Sequence, residues 1–209
     1  MLSTRQLLAG YAQGIFPMAE SAENPELHWF SPNFRGVLPV GGIHASRSLR
    51  RALRQGGWSA RLDYDFDTVV AACADRETTW INEPLADLYR QLHQQGHAHA
   101  LVTLYQGEFA GGIFGVTLGG AFFGESMVSA RPDGSKMALI WLSSHLARCG
   151  FVLFDTQMTT PHLTTMGAVE ISRRTYLKRL ENALKRDADF QGSALPDDRQ
   201  LWQEITQTS

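Results

Sequence analysis

The chain has little cysteine, no long apolar run and no surplus of positive charge, and each shortage removes a class of protein. Its 209 residues include two cysteines, Cys73 and Cys149, far apart and unlike any metal-binding pair. A disulfide framework is therefore excluded, and a reduced, cytoplasmic chain is the simplest expectation. No apolar stretch approaches the roughly 20 residues that a membrane helix needs. The N-terminus carries one early Arg and then Leu7, Leu8, Gly10 and Tyr11, without a long apolar region or a small-residue cleavage site. No signal peptide is expected from that pattern. Nineteen basic residues stand against 21 acidic ones, a net charge of -2. Indiscriminate coating of nucleic acid is thus excluded, whereas local contact through a cluster of charge is not.

What is present suits a folded protein: 44% of the residues are hydrophobic and 19% charged, enough for a core without disulfides or metal. At about 150 residues per domain, the length implies one large domain, or one with a small appendage. Charge is clustered locally. Between His44 and Leu62 lie Arg47, Arg50, Arg51, Arg54 and Arg61 with no acid, and between Ile171 and Arg186 six basic residues accompany only Glu181. Arg47, Arg50, Arg51 and Arg54 fall at i, i+3, i+4 and i+7, one face of a helix. Such a face would hold four like charges together, which a phosphate backbone would relieve, so these four are the candidate polyanion-binding residues.

A first helix is predicted from near Ser3 to Gly14. The stretch from Phe16 to Pro32, rich in Pro, Asn and Glu, reads as a loop and as the best boundary in the chain. It separates a small N-terminal domain, residues 1–32, from a larger one, residues 33–209. Helices follow from Ser46, a plausible N-cap, to Gly56-Gly57, then after Asp65, then from Asn82 with Pro84 in its first turn. Leu85, Leu88 and Leu92 supply the apolar stripe of the last of these. Then the period changes to two. Strands are predicted over Ala98–Tyr105, Glu108–Leu118 and Ala121–Ser129, separated by the turns Gln106-Gly107 and Gly119-Gly120. A helix over Ser135–Cys149, a buried strand Phe151–Phe154, a short helix, a strand near Val169–Ile171 and a helix capped by Ser172 complete the order. The polar tail after Asp187 is expected to be loosely held. The fold class is α+β with a mixed central sheet, in an order that resembles the N-acetyltransferase (GNAT) type.

That type cradles a pyrophosphate on a glycine-containing loop before a helix. Here the loop reads Arg131-Pro132-Asp133-Gly134-Ser135-Lys136, with Lys136 where a small residue would let backbone approach phosphate. CoA chemistry is open but not favoured. His97 and His99 share one face of a strand, but no Cys or acid completes a metal set at suitable spacing, so they read as structural and no metal is expected. Cys149 reads as a packed thiol. No strained turn surrounds Ser126 to make a triad with His162 and Asp155. More telling is Phe122-Phe123-Gly124-Glu125-Ser126-Met127, which sets a carboxylate in an apolar strand. Alternation puts Phe123, Glu125 and Met127 on one face; a carboxylate at a strand edge facing water is the plainer alternative. Asp155 and Gln157 lie two apart at the carboxyl end of a buried strand, an edge where ligands often sit.

Several blocks together resemble the leucyl/phenylalanyl-tRNA–protein transferase family. They are Tyr11-Ala12-Gln13-Gly14-Ile15-Phe16-Pro17, Trp29-Phe30-Ser31-Pro32 with Arg35, Ser46-Arg47-Ser48-Leu49-Arg50 and Thr79-Trp80-Ile81. Further along come Gly96-His97-Ala98-His99, Gly124-Glu125-Ser126-Met127, Ser135-Lys136, Asp155-Thr156-Gln157 and His162 with Gly167-Ala168. The resemblance runs from Tyr11 to Leu180. It implies a cytoplasmic enzyme that moves Leu or Phe, and less readily Met, from aminoacyl-tRNA to proteins beginning with Arg or Lys, marking them for N-degron degradation. No CoA or other cofactor is implied, since the acyl group arrives as the tRNA ester. By the same resemblance Asp155 and Gln157 are the catalytic pair. Since aminolysis of an activated ester chiefly needs the amine held in place, Asp155 is expected to accept a hydrogen bond from the attacking amine while Gln157 fixes the geometry. Glu125 meets the acceptor's basic side chain, and Ile113, Met127 and Phe154 line the apolar donor pocket. Trp80 stacks on the terminal adenine, while Met18 stands where many relatives carry a second aromatic.

Overall fold

The computed structural model describes residues 2–24, 26–75 and 79–207. Helix α1 (Thr4–Ala12) opens with a reciprocal cap, in which Ser3 Oγ accepts from the Gln6 amide while the Gln6 side chain accepts from the Ser3 amide. Such caps satisfy two of the amides that a helix start leaves unpaired. After Gly14, whose φ of +78° ends the helix, strands β1 (Phe16–Ala19) and β2 (Leu27–Phe30) form an antiparallel hairpin. The stretch expected to be loop is therefore partly strand, and its Phe16 and Phe30 rings stack across the pair at 6.1 Å.

The rest follows as β3 (Phe34–Leu38), α2 (Arg47–Arg54), β4 (Trp58–Leu62), α3 (Phe66–Ala74) and α4 (Glu83–Gln94). Then come β5 (Ala98–Tyr105), β6 (Glu108–Leu118), β7 (Ala121–Ser129), α5 (Gly134–Arg148) and β8 (Leu153–Gln157). Helix α6 (Pro161–Thr165), β9 (Val169–Ser172), α7 (Arg173–Leu184) and α8 (Asp198–Gln207) close the chain. Seven strands make one mixed sheet in the order β4-β5-β6-β7-β8-β3-β9. Every pairing is antiparallel except β7 with β8.

Because strand side chains alternate, the sheet has two apolar faces and two cores. On one face Ala100, Val102, Phe114, Val116 and Phe123 pack against α1, α3, α4 and α7. On the other, Leu101, Ile113, Phe122 and Phe154 pack against α2, α5 and α8. Truncating a fully buried ring such as Phe123 to Ala removes about 3–5 kcal/mol. The C-terminal tail belongs to the second core. Phe190, Leu201 and Ile205 are buried there, and Trp141 Nε1 donates to the Pro196 carbonyl at 2.9 Å. The expectation of a loosely held tail is thus corrected: few but well-spaced apolar residues anchor it. Among the described residues no helix is long and apolar enough to cross a membrane.

Candidate active site

Strands β7 and β8 pair over only three positions, ending at Phe123 with Asp155. Beyond that point β7 stays with β6 and β8 stays with β3, so the two part. A cavity of about 250 Å³ opens between them. Two irregularities shape it. On β7, Phe114 faces Ser126 while Gly115 faces Gly124, which makes Glu125 an extra, bulged residue. A Cβ at Gly115 would lie 2.2 Å from the Phe123 carbonyl, so only glycine allows this approach. On β8, Gly36 faces Gln157 and Val37 faces Asp155, leaving Thr156 extra. Gln157 takes a positive φ of 62° there, a conformation that a non-glycine residue holds only when its surroundings enforce it.

The bulge corrects the expected faces of β7. Simple alternation puts Met127 beside Phe123 and Glu125. Instead Glu125 reaches into the first core, whereas Met127 packs against the second. The extra residue shifts the side-chain phase by one, as bulges do.

Glu125 is buried rather than facing water at an edge. Its Oε1 accepts from Tyr11 Oη at 2.8 Å, and its Oε2 from Tyr89 Oη at 2.7 Å and Gln157 Nε2 at 3.0 Å. Those donors are all neutral. Burial therefore raises its pKa to about 7, against the pull of the Tyr89, Tyr11 and Gln157 hydrogen bonds. Burial and the adjacent Glu125 charge push both tyrosine hydroxyls well above their ordinary value. Since a carboxylate accepts, the Gln157 amide must turn its NH2 toward Glu125.

Asp155 is placed differently from its expectation as a group facing the amine. It has no exposed surface and does not line the cavity. Arg35 binds it through Nε at 2.9 Å and Nη2 at 2.7 Å, Tyr176 Oη donates at 2.7 Å, and the Gln157 backbone amide donates at 2.7 Å. Every lone pair direction is taken. Arg35 is itself buried, lies over the Phe16 and Tyr176 rings at 4.4 and 4.6 Å, and donates to the Gly14 carbonyl. This cluster fastens the N-terminal segment behind β8 and holds Gln157 in its strained turn.

The other expected pocket residues converge. Met18, Trp80, Ile113, Met127 and Phe154 line the same cavity as Glu125 and Gln157. Met18 and Trp80 meet because the Ala19 amide donates to the Trp80 carbonyl at 3.3 Å. The lining is thus largely apolar, with Leu139 and Leu163 added, and Glu125, Ser126, Thr156, Thr160 and Gln157 supply its polar groups. Arg47, Arg50, Arg51 and Arg54 lie elsewhere, on α2, lining a separate cavity with Trp202 and Thr206. Tyr11, Arg35, Tyr89 and Tyr176 were given no site role from the sequence, although Tyr11 and Arg35 stand in the blocks of the family resemblance. Arg35 left a further signal, a lone charge inside the strand run Phe34-Arg35-Gly36-Val37-Leu38.

The loop compared with a pyrophosphate cradle is occupied by the protein itself. A Cβ at Gly134 would lie 1.9 Å from the Ala110 carbonyl, the Ser135 amide donates to Ser129 Oγ, and Lys136 pairs with Asp133 at 3.0 Å. His99 pairs with Asp63 at 2.9 Å and stacks on Phe190.

The cavity thus offers apolar surface and a buried carboxylate at the point where β7 and β8 part. Residues 37–181 match the model of the leucyl/phenylalanyl-tRNA protein transferase family, and residues 1–33 match the model of that family's N-terminal domain. The Leucyl/phenylalanyl-tRNA--protein transferase of Paracoccus denitrificans is 59% identical over 208 residues, covering 100% of this chain and 98% of its own. Its counterpart in Dinoroseobacter shibae is 54% identical, covering 91% and 85%. In Ruegeria sp. the identity is 50%, with 100% and 99% covered. Among solved structures, that of L-PGS from Bacillus licheniformis aligns at a TM-score of 0.45 and 13% identity, covering 85% of this chain and 68% of the other. The chain belongs to the leucyl/phenylalanyl-tRNA–protein transferase family, and with it to the aminoacyltransferases.

Proposed function

We propose that this protein transfers Leu or Phe, and less readily Met, from aminoacyl-tRNA to the α-amine of proteins that begin with Arg or Lys. The observation that carries this reading is Glu125, a buried carboxylate at a largely apolar cavity, with only neutral donors bonded to it among the described residues. A buried acid without a bonded cation is complementary to a guanidinium or ammonium arriving on a substrate. The donor's side chain takes the wall of Ile113, Met127 and Phe154, which by its shape and its flexible thioether cannot sharply separate Leu, Phe and Met. Trp80 offers the terminal adenine a stacking face, with Met18 beside it. The basic face of Arg47, Arg50, Arg51 and Arg54 takes the tRNA backbone.

The chemistry is aminolysis of an ester. The amine nitrogen bonds to the ester carbon, the carbon–oxygen bond to the ribose breaks, and the amine's proton is passed to the departing ribose oxygen. The ester is already activated, so the protein chiefly has to hold the neutral amine against it. Gln157 does so: with its NH2 committed to Glu125, its amide oxygen is left to accept from the amine. Asp155 acts from behind, fixing the Gln157 backbone. We further place the larger domain, residues 33–209, with the N-acetyltransferase-like folds, on the strength of the parallel β7–β8 pair that parts at the cavity, and the small domain at residues 1–32. The reaction is assigned to the cytoplasm, where it tags proteins for N-degron degradation.

Transfer of labelled Leu from Leu-tRNA to a peptide beginning with Arg tests the reading. We expect transfer to that peptide and to its Lys counterpart, and none to a Glu-starting peptide. Transfer from acetyl-CoA in place of Leu-tRNA, or indifference to the acceptor's first residue, would overturn it.

A further inference from the structure

Helix α8 lies beyond the residues that the family's main model matches, yet it is built into the second core through Leu201 and Ile205, beside Leu49 and Leu53 of α2. The two helices run antiparallel. Asp198 and Arg199, in the first turn of α8, share a cavity with Leu53 and Arg54 in the last turn of α2. Trp202 and Thr206 share the adjoining cavity with Arg47, Arg50, Arg51 and Arg54. Each cavity measures about 310 Å³, and Trp202 and Arg54 line both, so the two form one continuous groove. Its floor is the half-buried Trp202 and its rims are guanidinium groups.

The charge of this groove is one-sided. Among the described residues that line it, Asp198 is the only acid against five arginines. Glu204, also on α8, is turned the other way and bonds Ser144 and Arg148 of α5. The chain as a whole carries a net charge of -2, so the positive field here is local rather than a general property of the surface.

We infer that α8 completes, with α2, one surface for the phosphate backbone of the donor's stem, to which Arg199 adds a phosphate contact and Trp202 an aromatic floor. The inference rests on the proposed function, because it takes the donor to be a tRNA. Guanidinium groups spaced along a helix, with an indole between them, suit a sugar–phosphate chain. Arg199 is exposed and can be changed without disturbing the core.

Binding of full-length Leu-tRNA to the complete protein is measured across a range of salt for Arg199→Ala, Arg199→Glu and Trp202→Ala. Leu esterified to adenosine serves as a second donor that has no stem. One lost phosphate contact lowers the slope of log K against log salt by about 0.7–0.9. We expect that drop for Arg199→Ala, a larger one for Arg199→Glu, and weaker binding with little change of slope for Trp202→Ala. The losses are confined to the full-length donor. An unchanged slope in both Arg199 variants overturns the inference, as does an equal loss on the stemless donor. A rise in KM for the acceptor protein alone would overturn it in favour of a protein-docking surface. Failure of transfer from either donor in the unaltered protein would instead sink the proposed function itself.

Discussion

Asp155 and Glu125 are two carboxylates on neighbouring parts of one sheet, both buried and both hydrogen-bonded, yet they differ in what they can still bind. Asp155 is bound by the guanidinium of Arg35, at side-chain exposures of 0% and 2%. Among the described residues, Glu125 has only two hydroxyls and an amide. A buried charge that has its counter-charge is spent on structure, since no further cation can approach it. A buried charge that has only neutral donors is held in place but not neutralised, and burial keeps its pKa near 7. That second state is the one that a substrate can complete. Gln157 joins the two, donating its backbone amide to Asp155 and its side-chain amide to Glu125.

The largest expected effect follows from breaking the closed pair. Arg35→Ala leaves Asp155 buried without its cation, which costs about 3–5 kcal/mol. Urea denaturation should show that loss, together with loosening of the N-terminal segment that Arg35 ties through the Gly14 carbonyl. A stability within about 1 kcal/mol of the parent would mean that Asp155 is not held as a charged structural group.

The open carboxylate responds in another currency. Glu125→Gln keeps the shape: its one oxygen accepts from one tyrosine hydroxyl and its NH2 can donate to the other, so the fold survives. The cost falls on the cationic acceptor, at about 2–5 kcal/mol, or some thirtyfold and upward in kcat/KM for an Arg-starting peptide. Unchanged kcat/KM in a folded variant would remove Glu125 from acceptor recognition.

Stability should move oppositely in that same variant. The folded pKa of Glu125 is raised from 4.5 to about 7, so the folded chain holds a proton that the unfolded chain releases. The stabilisation this gives is fully present below the unfolded value and is lost as pH rises through about 7. The difference amounts to about 3 kcal/mol. Glu125→Gln should therefore match the parent near the lower pH and exceed it above the upper one. Denaturation curves at the two ends of that window decide it, and parallel pH dependences would show that Glu125 does not titrate there.

How far this pair could be read from the sequence depends on how local its causes are. The meander β5 to β7 was legible to the residue because the turns Gln106-Gly107 and Gly119-Gly120 mark its ends, and Gln106, Gly107 and Gly119 all take positive φ. The apolar pocket residues were legible through family resemblance. The hairpin of β1 and β2 was hidden by its Pro and Asn content. Strand β3 was hidden because its partners, β8 and β9, come more than a hundred residues later. The bulge at Glu125 is invisible to alternation, which assumes an unbroken period. So are the partners: Tyr11 lies 114 residues from Glu125, and Arg35 lies 120 from Asp155. Sequence alone marks a carboxylate as a candidate, but only the fold shows which one already has its cation.

The finest test of the contrast is the donor set of Glu125. The two tyrosine hydroxyls hold the carboxylate charged against its burial, with Tyr89 the stronger of the two lowering influences. Removing either therefore raises the pKa further. In the free enzyme, affinity for an Arg-starting peptide should increase as pH rises through about 7, because only the ionised carboxylate attracts the guanidinium. Tyr89→Phe should move that midpoint upward by about one pH unit, the equivalent of one charged hydrogen bond. Tyr11→Phe should move it the same way by less. Each variant removes a single oxygen from a buried site, so stability is followed in parallel to separate packing from titration. The readout is 1/KM against pH with a peptide whose own α-amine is held constant. Should the midpoint fall instead, the hydroxyls would be stabilising the protonated acid, and Glu125 would enter the reaction as a neutral donor rather than as the acceptor's counter-ion.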